Sequence, residues 1–426
     1  MLVKKILLPM FLILIFSHCL WASEDISKDD ILTLKRCINI ALKNHPSMIA
    51  ASHVVRQSES KIGQARSGYY PQLSLQSGYS RIGPPSSSLR SDPYNSYSNS
   101  LNLNQTLFDF GKTSASVDVQ SLNKQSADAD AEDVTMSVIL NTKEAYYVFL
   151  KARMSSTVAE ETVNQFQQHY EIAQTFFETG RSSKIDVTSA EVNLSNARIQ
   201  LISALNALRV ARAALNKSMG VTAVPDYDVQ EEFHLESTEM SLDSALSQAY
   251  ENRPDILSTR LKKSALERSI DLQKKGYLPV LSGNAGYGYA GDDYSMNPSW
   301  SAGITLNIPL FSGFSTKFAV DEARSNLDIA RANEDLLWQR IHLEVQTAWL
   351  NRHEAFERIA AGKITVRQAE ETLELARGRY ATGVGSSIEI TDAMIKLNNA
   401  KMTYITALSD FSAAQARLEK AIGTGK

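Results

Sequence analysis

Two carboxylates, Glu389 and Asp392, are the residues whose spacing first suggests a chemical role in this sequence. They lie at i and i+3, so a helix would present both on one face. In the first turn of a helix, two such acids would stabilise the N-terminus through the helix dipole. Asp186 occupies the corresponding place in an earlier part of the chain.

The sequence lacks the motifs of several common enzyme families. The seven histidines form no His-Glu-x-x-His helix, and His353-Glu354 lacks a second ligand at the right spacing. The sequence contains no P-loop, no glycine-rich dinucleotide fingerprint and no Gly-x-Ser-x-Gly elbow, and its ten methionines do not cluster. We therefore predict a protein that is not an enzyme and needs no metal and no cofactor.

Composition limits the class of protein further. The 426 residues are 43% hydrophobic and 21% charged, and their mean hydropathy is -0.22, which argues against a bundle of transmembrane helices. The 44 basic and 47 acidic residues give a net charge of -3, so we predict no nucleic-acid partner. Low usage of glycine and proline makes long uninterrupted helices plausible.

The surrounding sequence is duplicated. A shift of 208 (254 minus 46) carries Pro46 onto Pro254, and further along a shift of 203 (383 minus 180) carries Gly180 onto Gly383. The change of five falls between Tyr79 and Phe108, where one copy has the longer loop. We predict two structural repeats, residues 23–220 and 240–426, joined by a polar linker at 221–239.

Each copy contains a heptad pattern in which large apolar residues alternate with alanine. The positions are Val187, Ala190, Leu194, Ala197, Leu201, Ala204, Leu208, Ala211 and Leu215, then Ile390, Ala393, Leu397, Ala400, Tyr404, Ala407, Phe411, Ala414 and Leu418. We predict long helices at about 112–179 and 184–219, and again at about 314–381 and 387–422. A rod of roughly 100 Å follows from sixty-odd residues at about 1.5 Å each. Both a dimeric coiled coil and a ring of helices fit this pattern.

Between the helices the period changes to two. Strands are predicted at about 71–82 and 97–108 in the first copy and at about 279–290 and 299–310 in the second. A half-buried sheet in a soluble domain would show the same alternation. The aromatic residues near the hairpin loops favour a membrane, because they resemble an interfacial girdle: Tyr79, Tyr97, Tyr287, Tyr289 and Trp300. Four strands cannot close a barrel, so a membrane sheet would require oligomerisation.

The first residues have the order of a secretory signal. Lys4 and Lys5 precede an apolar run that ends at Phe16, and Ala22 follows within a few positions. We predict a signal peptide at residues 1–22. A transmembrane anchor would need a longer apolar run, and lipidation of Cys19 remains open.

These ordered and duplicated features resemble the TolC-like outer membrane efflux protein family over essentially the whole chain after the signal. The residues that carry the resemblance are Asn44-x-Pro46 with Asn252-x-Pro254, Tyr70-Pro71 with Leu278-Pro279, Leu107-Phe108 with Leu310-Phe311, and the run Arg379 to Ala393. Each short motif is weak alone, whereas the ordered set is specific.

The resemblance implies a mainly α fold with a membrane β-barrel. Long coiled-coil hairpins would form an α-barrel across the periplasm, and three times four strands would form a 12-stranded barrel in the cell outer membrane of a Gram-negative bacterium. It implies a homotrimer in contact with outer-membrane lipid, a periplasmic adaptor (membrane fusion) protein and an inner-membrane RND, ABC or MFS transporter. The expected function is the passive exit duct of a tripartite efflux pump or type I secretion system. A soluble periplasmic coiled-coil scaffold or adhesin is the alternative.

The resemblance also implies roles for residues at the helical tips. Glu389 and Asp392 would line the pore entrance, and Asp186 and Tyr380 would hold it closed through hydrogen bonds. The adaptor would dock at two tips, formed by Gly180, Arg181 and Ser182 in one copy and by Gly383, Val384 and Gly385 in the other. Gly385 stands where the best-known member of the family has an arginine that clamps neighbouring helices, so a closed state must depend on other contacts.

Overall fold

The structure is a computed structural model that describes residues 26–83, 92–222, 225–233, 240–292 and 295–425. The predicted signal peptide, with Cys19, and linker residues 223, 224 and 234–239 lie outside the described residues. Among the described residues, no helix combines the length and the apolar character that crossing a membrane would require.

The same series of elements occurs twice. The first copy consists of β1 (Ile31–Leu32), α1 (Leu34–Asn44), α2 (Pro46–Arg66), β2 (Gln72–Ile82), β3 (Tyr94–Phe108), α3 (Lys112–Glu178) and α4 (Lys184–Met219). The second consists of β4 (Asp228–Val229), α5 (Leu242–Asn252), α6 (Pro254–Lys274), β5 (Val280–Asp292), β6 (Ser295–Asn307), α7 (Ser315–Ala381) and α8 (Ser387–Ala421). A short 3₁₀ helix precedes β2 and another precedes β5.

Equivalent elements match closely in length and position. The helices α3 and α7 have 67 residues each, which at about 1.5 Å per residue gives rods of roughly 100 Å. The start of α5 lies 208 residues after the start of α1 (242 minus 34), and the start of α7 lies 203 after that of α3 (315 minus 112). These are the shifts found in the sequence, so the predicted duplication is confirmed.

Two strands differ from the expected ranges. The strand β3 begins at Tyr94, three residues before the expected start, and β6 runs earlier than expected, at Ser295–Asn307. The alternation in the sequence continues past Asn307, but Pro309 has no N–H to donate to a neighbouring strand. The apolar residues beyond Asn307 therefore lie outside the sheet.

Four strands form one antiparallel sheet in the order β2-β3-β5-β6. Both hairpins and the contact between the two copies, β3 with β5, are hydrogen-bonded. The outer strands β2 and β6 have one unpaired edge each. A separate two-stranded parallel sheet, β1 with β4, joins the two copies a second time.

The register gives the sheet two chemically different faces. Residues directly opposite one another share a face, and one such row is Leu75, Leu101, Tyr287 and Trp300. The adjacent row, on the other face, is Ser74, Asn102, Gly286 and Ser301. On the first face the leucines, Trp300 and Ile304 are exposed. This apolar exposed face, opposite a face of Ser, Asn, Gln, Thr and Gly, suits a sheet between lipid and water.

The long helices pack side by side in a fixed order. Toward the tips, α3 packs on α4 and on α8, and α8 packs on α7, so the order is α4-α3-α8-α7. Nearer the sheet, α3 packs on α2 and α6, and α6 packs on α7. Alanines of the heptad pattern are buried in these seams, among them Ala190, Ala197, Ala393 and Ala407, because a small side chain lets two helices approach closely. The helices α4 and α7 are left at the two edges.

Candidate functional site

Two short tips connect the long helices at the end of the molecule far from the sheet. At the first tip α3 ends at Glu178 and Gly180 turns the chain with φ +73. At the second tip α7 ends at Ala381 and Gly383 does the same with φ +81. Glycine suits both places because a side chain strains the left-handed backbone region.

Asp186 is held within its own tip. Its Oδ2 accepts hydrogen bonds from Ser182 Oγ at 2.9 Å, from the Ser183 backbone N–H at 3.1 Å and from Ser183 Oγ at 2.7 Å. These bonds, the one from the Ser183 side chain first, hold the pKa of Asp186 below its usual value. The carboxylate is therefore ionised at neutral pH and caps the start of α4.

Tyr380 lies at the end of α7, in a core that both copies share. Its ring is 5.3 Å from that of Phe176 and 5.8 Å from that of His169, centroid to centroid. Its hydroxyl is buried beside that of Ser182, without a hydrogen bond of normal length to it. Burial raises the pKa of Tyr380 and the negative charge of Asp186 adds to this. The expected pair of closure residues thus lies together in one chain, coupled through charge rather than through a direct hydrogen bond.

His169 joins the two copies beside Tyr380. Its Nε2 lies 3.1 Å from Ser387 Oγ, and the side chain is only 2% exposed. Burial lowers the pKa of His169, and the positive charge of Arg377 lowers it further, whereas Asp186 opposes both. A neutral imidazole is therefore favoured where α3 meets α8.

The two acids expected at the pore entrance lie on α8 and differ in their surroundings. Glu389 is in the first turn, where Ser386 Oγ accepts a hydrogen bond from its backbone N–H at 3.3 Å. Its Oε2 lies 3.2 Å from Arg379 Nε on α7. Asp392 is exposed and has no ion-pair partner in the described ranges. The charge of Glu389 is thus partly compensated, while that of Asp392 is not.

Gly385 packs against the end of α7, which explains why no large residue stands there. A Cβ at this position would lie 2.9 Å from Arg379 Cβ and 3.0 Å from the Tyr380 backbone nitrogen. The Gly385 N–H donates to the Arg379 carbonyl at 2.9 Å. The loop therefore packs closely on Arg379. The positive charge that an arginine at position 385 would carry is provided at this tip by Arg379.

The five aromatic residues expected at a membrane interface lie on the apolar face of the sheet, from the middle of the strands toward the hairpin loops. Tyr79 is opposite Tyr97 with ring centroids 5.2 Å apart. Tyr287 is opposite Trp300, and its hydroxyl is 2.9 Å from that of Tyr289. This placement is compatible with an interfacial girdle, and that role stays a prediction.

Sequence reasoning missed His169, Arg377 and Arg379. One signal for His169 was available, since Thr162, Phe166 and His169 are spaced four and three residues apart, as the heptad positions on α4 and α8 are. The pairing of Arg379 with Glu389 could not be read from spacing, because the tip loop between them decides which α7 side chain meets the start of α8.

Within the described residues, no three side chains from His, Cys, Asp and Glu come together as metal ligands would. Cys37 is a free thiol, and burial raises its pKa to about 12, which leaves it protonated and unreactive.

The sequence profile described as outer membrane efflux protein matches residues 37–221 and 245–424. The chain belongs to the outer membrane efflux protein family. The resemblance inferred from the sequence is thereby confirmed, and the two matched segments correspond to the two copies.

Individual relatives match over most of their length. The chain is 22% identical over 437 residues to outer membrane protein TolC of Vibrio cholerae, covering 99% of this chain and 96% of the relative. It is 23% identical to cation efflux system protein CusC of Escherichia coli O157:H7, covering 92% of this chain and 86% of the relative.

Solved structures show the same fold. CusC superposes with a TM-score of 0.79 at 21% identity, over 92% of both chains. The Campylobacter jejuni CmeC outer membrane channel superposes with a TM-score of 0.78 at 19% identity, over 92% of this chain and 86% of that one. The α-barrel and β-barrel fold and an efflux role in the outer membrane follow, and the comparisons give no support to a soluble scaffold or adhesin.

Proposed function

We propose that this chain forms a homotrimeric channel-tunnel that serves as the passive exit duct of a tripartite efflux pump or type I secretion system. The observation that carries the proposal is the two-faced, four-stranded sheet at the end of rods of roughly 100 Å. In lipid, the unpaired edges of β2 and β6 would leave backbone groups without partners. Pairing β2 of one chain with β6 of the next, in three copies, gives twelve strands and removes every edge.

The helical edges support the same assembly. Each outer helix carries exposed apolar residues, several of them seven apart and hence on one face. On α4 they are Ile185, Val192, Ile199, Ile202 and Val210, and on α7 they are Ile329, Leu336, Leu343, Leu350 and Ile364. Two different edges that are both apolar fit a head-to-tail ring. The 36 residues of α4 reach only the tip-side half of the 67-residue α7, so α4 would pack there on Leu350 and Ile364 of its neighbour. The sheet-side half of α7 would pack on the neighbour's α2, which has no buried residue within one chain.

In this assembly the polar face of each sheet would line a water-filled passage, and the chain would contribute no catalysis. The tips at Gly180, Arg181 and Ser182 and at Gly383, Val384 and Gly385 would dock a periplasmic adaptor, which links the duct to an inner-membrane RND, ABC or MFS transporter. The pump would select the cargo. Relatives are named for efflux of cations and of toluene, so one duct architecture serves chemically different cargoes.

Fractionation and conductance test the proposal together. We expect a heat-resistant trimer in the outer membrane that conducts ions in planar bilayers. Recovery of the full chain as a monomer in the periplasm would contradict it. Leu343→Lys places a charge in the α7 stripe and should abolish the trimer, because burying a leucine is worth about 1.5–3 kcal/mol and burying an unpaired charge costs more. The matched control is His342→Lys, which introduces the same residue, lysine, at the adjacent exposed position on another face of α7.

A further inference from the structure

A cavity of about 530 Å³ lies beside the second tip, where the two helical hairpins meet. One wall comes from α3 and the first tip, with His169, Phe176 and Arg181. The other comes from α7 and α8, with Arg377, Tyr380 and Met394. The cavity volume is within the range of pockets that hold small organic ligands.

The charge of the lining is one-sided. Among the eleven residues that line the cavity, two are arginines, the one histidine is favoured in its neutral form, and none is acidic, although the whole protein carries a net charge of -3. Arg181 and Arg377 have no carboxylate partner within the described residues, in contrast to Arg379, which is paired with Glu389. Asp186 is nearby, outside the lining, and is held by the hydrogen bonds from Ser182 and Ser183.

An apolar surface lies next to these cations. The Arg181 guanidinium carbon is 4.4 Å from the centroid of the Phe176 ring, so the cation is held over an aromatic face. Ile172 is 45% exposed beside it, and Met394 forms part of the buried floor. The buried Tyr380 hydroxyl lies at this surface, close to Ser182.

We propose that this cavity binds a small amphipathic organic anion. The carboxylate, sulfonate or phosphate group would lie between Arg181 and Arg377, and the apolar body would pack on Phe176 and Ile172. Arginine suits this task because its planar guanidinium donates two parallel hydrogen bonds to such an anion. The inference goes beyond the proposed duct, since a passive passage needs no binding site at its entrance.

A pair of fluorescent probes that differ in charge tests the proposal. The purified full-length protein in amphipol is titrated with 1-anilinonaphthalene-8-sulfonate and, separately, with the uncharged N-phenyl-1-naphthylamine. We expect saturable binding of the sulfonate at one site per chain, and binding of the neutral probe at least about tenfold weaker, because charge-assisted hydrogen bonds are roughly twice as strong as neutral ones.

Three variants locate the binding. Arg181→Gln combined with Arg377→Gln should weaken sulfonate binding about tenfold or more. Ala381→Phe, which fills the cavity without changing its charge, should abolish saturable binding. Arg367→Gln, an exposed arginine ten residues earlier on α7, is the matched control and should bind as the unchanged protein does.

Each outcome decides the matter. Superimposable isotherms for all variants would mean that the probe binds elsewhere and would overturn the proposal. Binding confined to a monomeric fraction would also overturn it, because it would show that a neighbouring chain covers the cavity in the trimer. Trimer content and conductance are measured on the same samples. A duct that conducts but does not bind would refute the anion site alone, whereas a chain that does not conduct would refute the duct.

Discussion

His169 on α3 and Ser387 at the start of α8 are joined across the two copies, with 3.1 Å between Nε2 and Oγ. The residues are 218 positions apart in the chain. Charged or titratable groups face the imidazole from each packed element: Arg377 and Tyr380 on α7, and Asp186 on α4. This contact is therefore a place where pH can change the packing of the two hairpins.

The first prediction is that acidification loosens the tips. In the packed state the pKa of His169 is lowered by burial and by Arg377, so a separated state binds the proton more readily. Packing is favoured most above the usual histidine pKa, about 6.5. It weakens as pH falls below that value, by at most about 1.4 kcal/mol per pH unit, until pH reaches the lowered pKa of the packed state.

Single-channel conductance between pH 7.5 and 5.5 measures this effect. The open fraction should rise with acidification in the unchanged protein. In His169→Gln, which cannot gain a proton, it should stay constant over the same range. If both proteins respond equally, the response comes from other groups and His169 is only a packing residue.

The second prediction concerns the two entrance acids, which we expect to contribute unequally to ion selectivity. Glu389 is paired with Arg379 at 3.2 Å, whereas Asp392 is exposed and unpaired in the described ranges. Asp392→Asn should therefore lower the preference for cations more than the combined change Glu389→Gln with Arg379→Gln, which removes the acid together with the cation that compensates it. The reversal potential in a KCl gradient across a planar bilayer measures this, and an unchanged potential in Glu389→Gln with Asp392→Asn would rule out a carboxylate ring.

The sequence predicted the repeats and the long helices, but it did not predict the side-chain contacts at the tips. The shifts of 208 and 203 defined the two repeats, and the absence of proline and glycine from 112–178 indicated the first long helix. Both signals could be found because they depend only on the order of residues along the chain. The pairing of Arg379 with Glu389 and of His169 with Ser387 could not be predicted. Those contacts depend on loop closure at Gly385 and on the offset between two rods, which neither heptads nor motifs encode.

The third prediction is that the second tip does not accept a side chain at position 385. In Gly385→Ala, the new Cβ would lie 2.9 Å from Arg379 Cβ and 3.0 Å from the Tyr380 backbone nitrogen. Overpacking of this kind costs about 1–3 kcal/mol, so the loop should open and its amide protons should exchange faster. Gly378→Ala is the matched control, because a Cβ there meets no atom within 4 Å and alanine is favoured over glycine in a helix by about 1 kcal/mol. Equal exchange rates in the two variants would show that the contact is relieved without cost.

The fourth prediction follows from the two faces of the sheet and compares residues three apart on β6. Ile304 is 73% exposed on the apolar face, and Ser301 lies on the polar face opposite Gly286. A lipid-facing arginine near the middle of a membrane costs about 2–4 kcal/mol, while a residue facing the passage stays in water. Ile304→Arg should therefore reduce the amount of heat-resistant trimer recovered from the outer membrane, and Ser301→Arg should leave it unchanged. Western blots of membrane fractions, with and without heating, measure both. The reverse ranking would mean that the exposed apolar face points toward the passage, because only then would Ser301 meet lipid and Ile304 meet water.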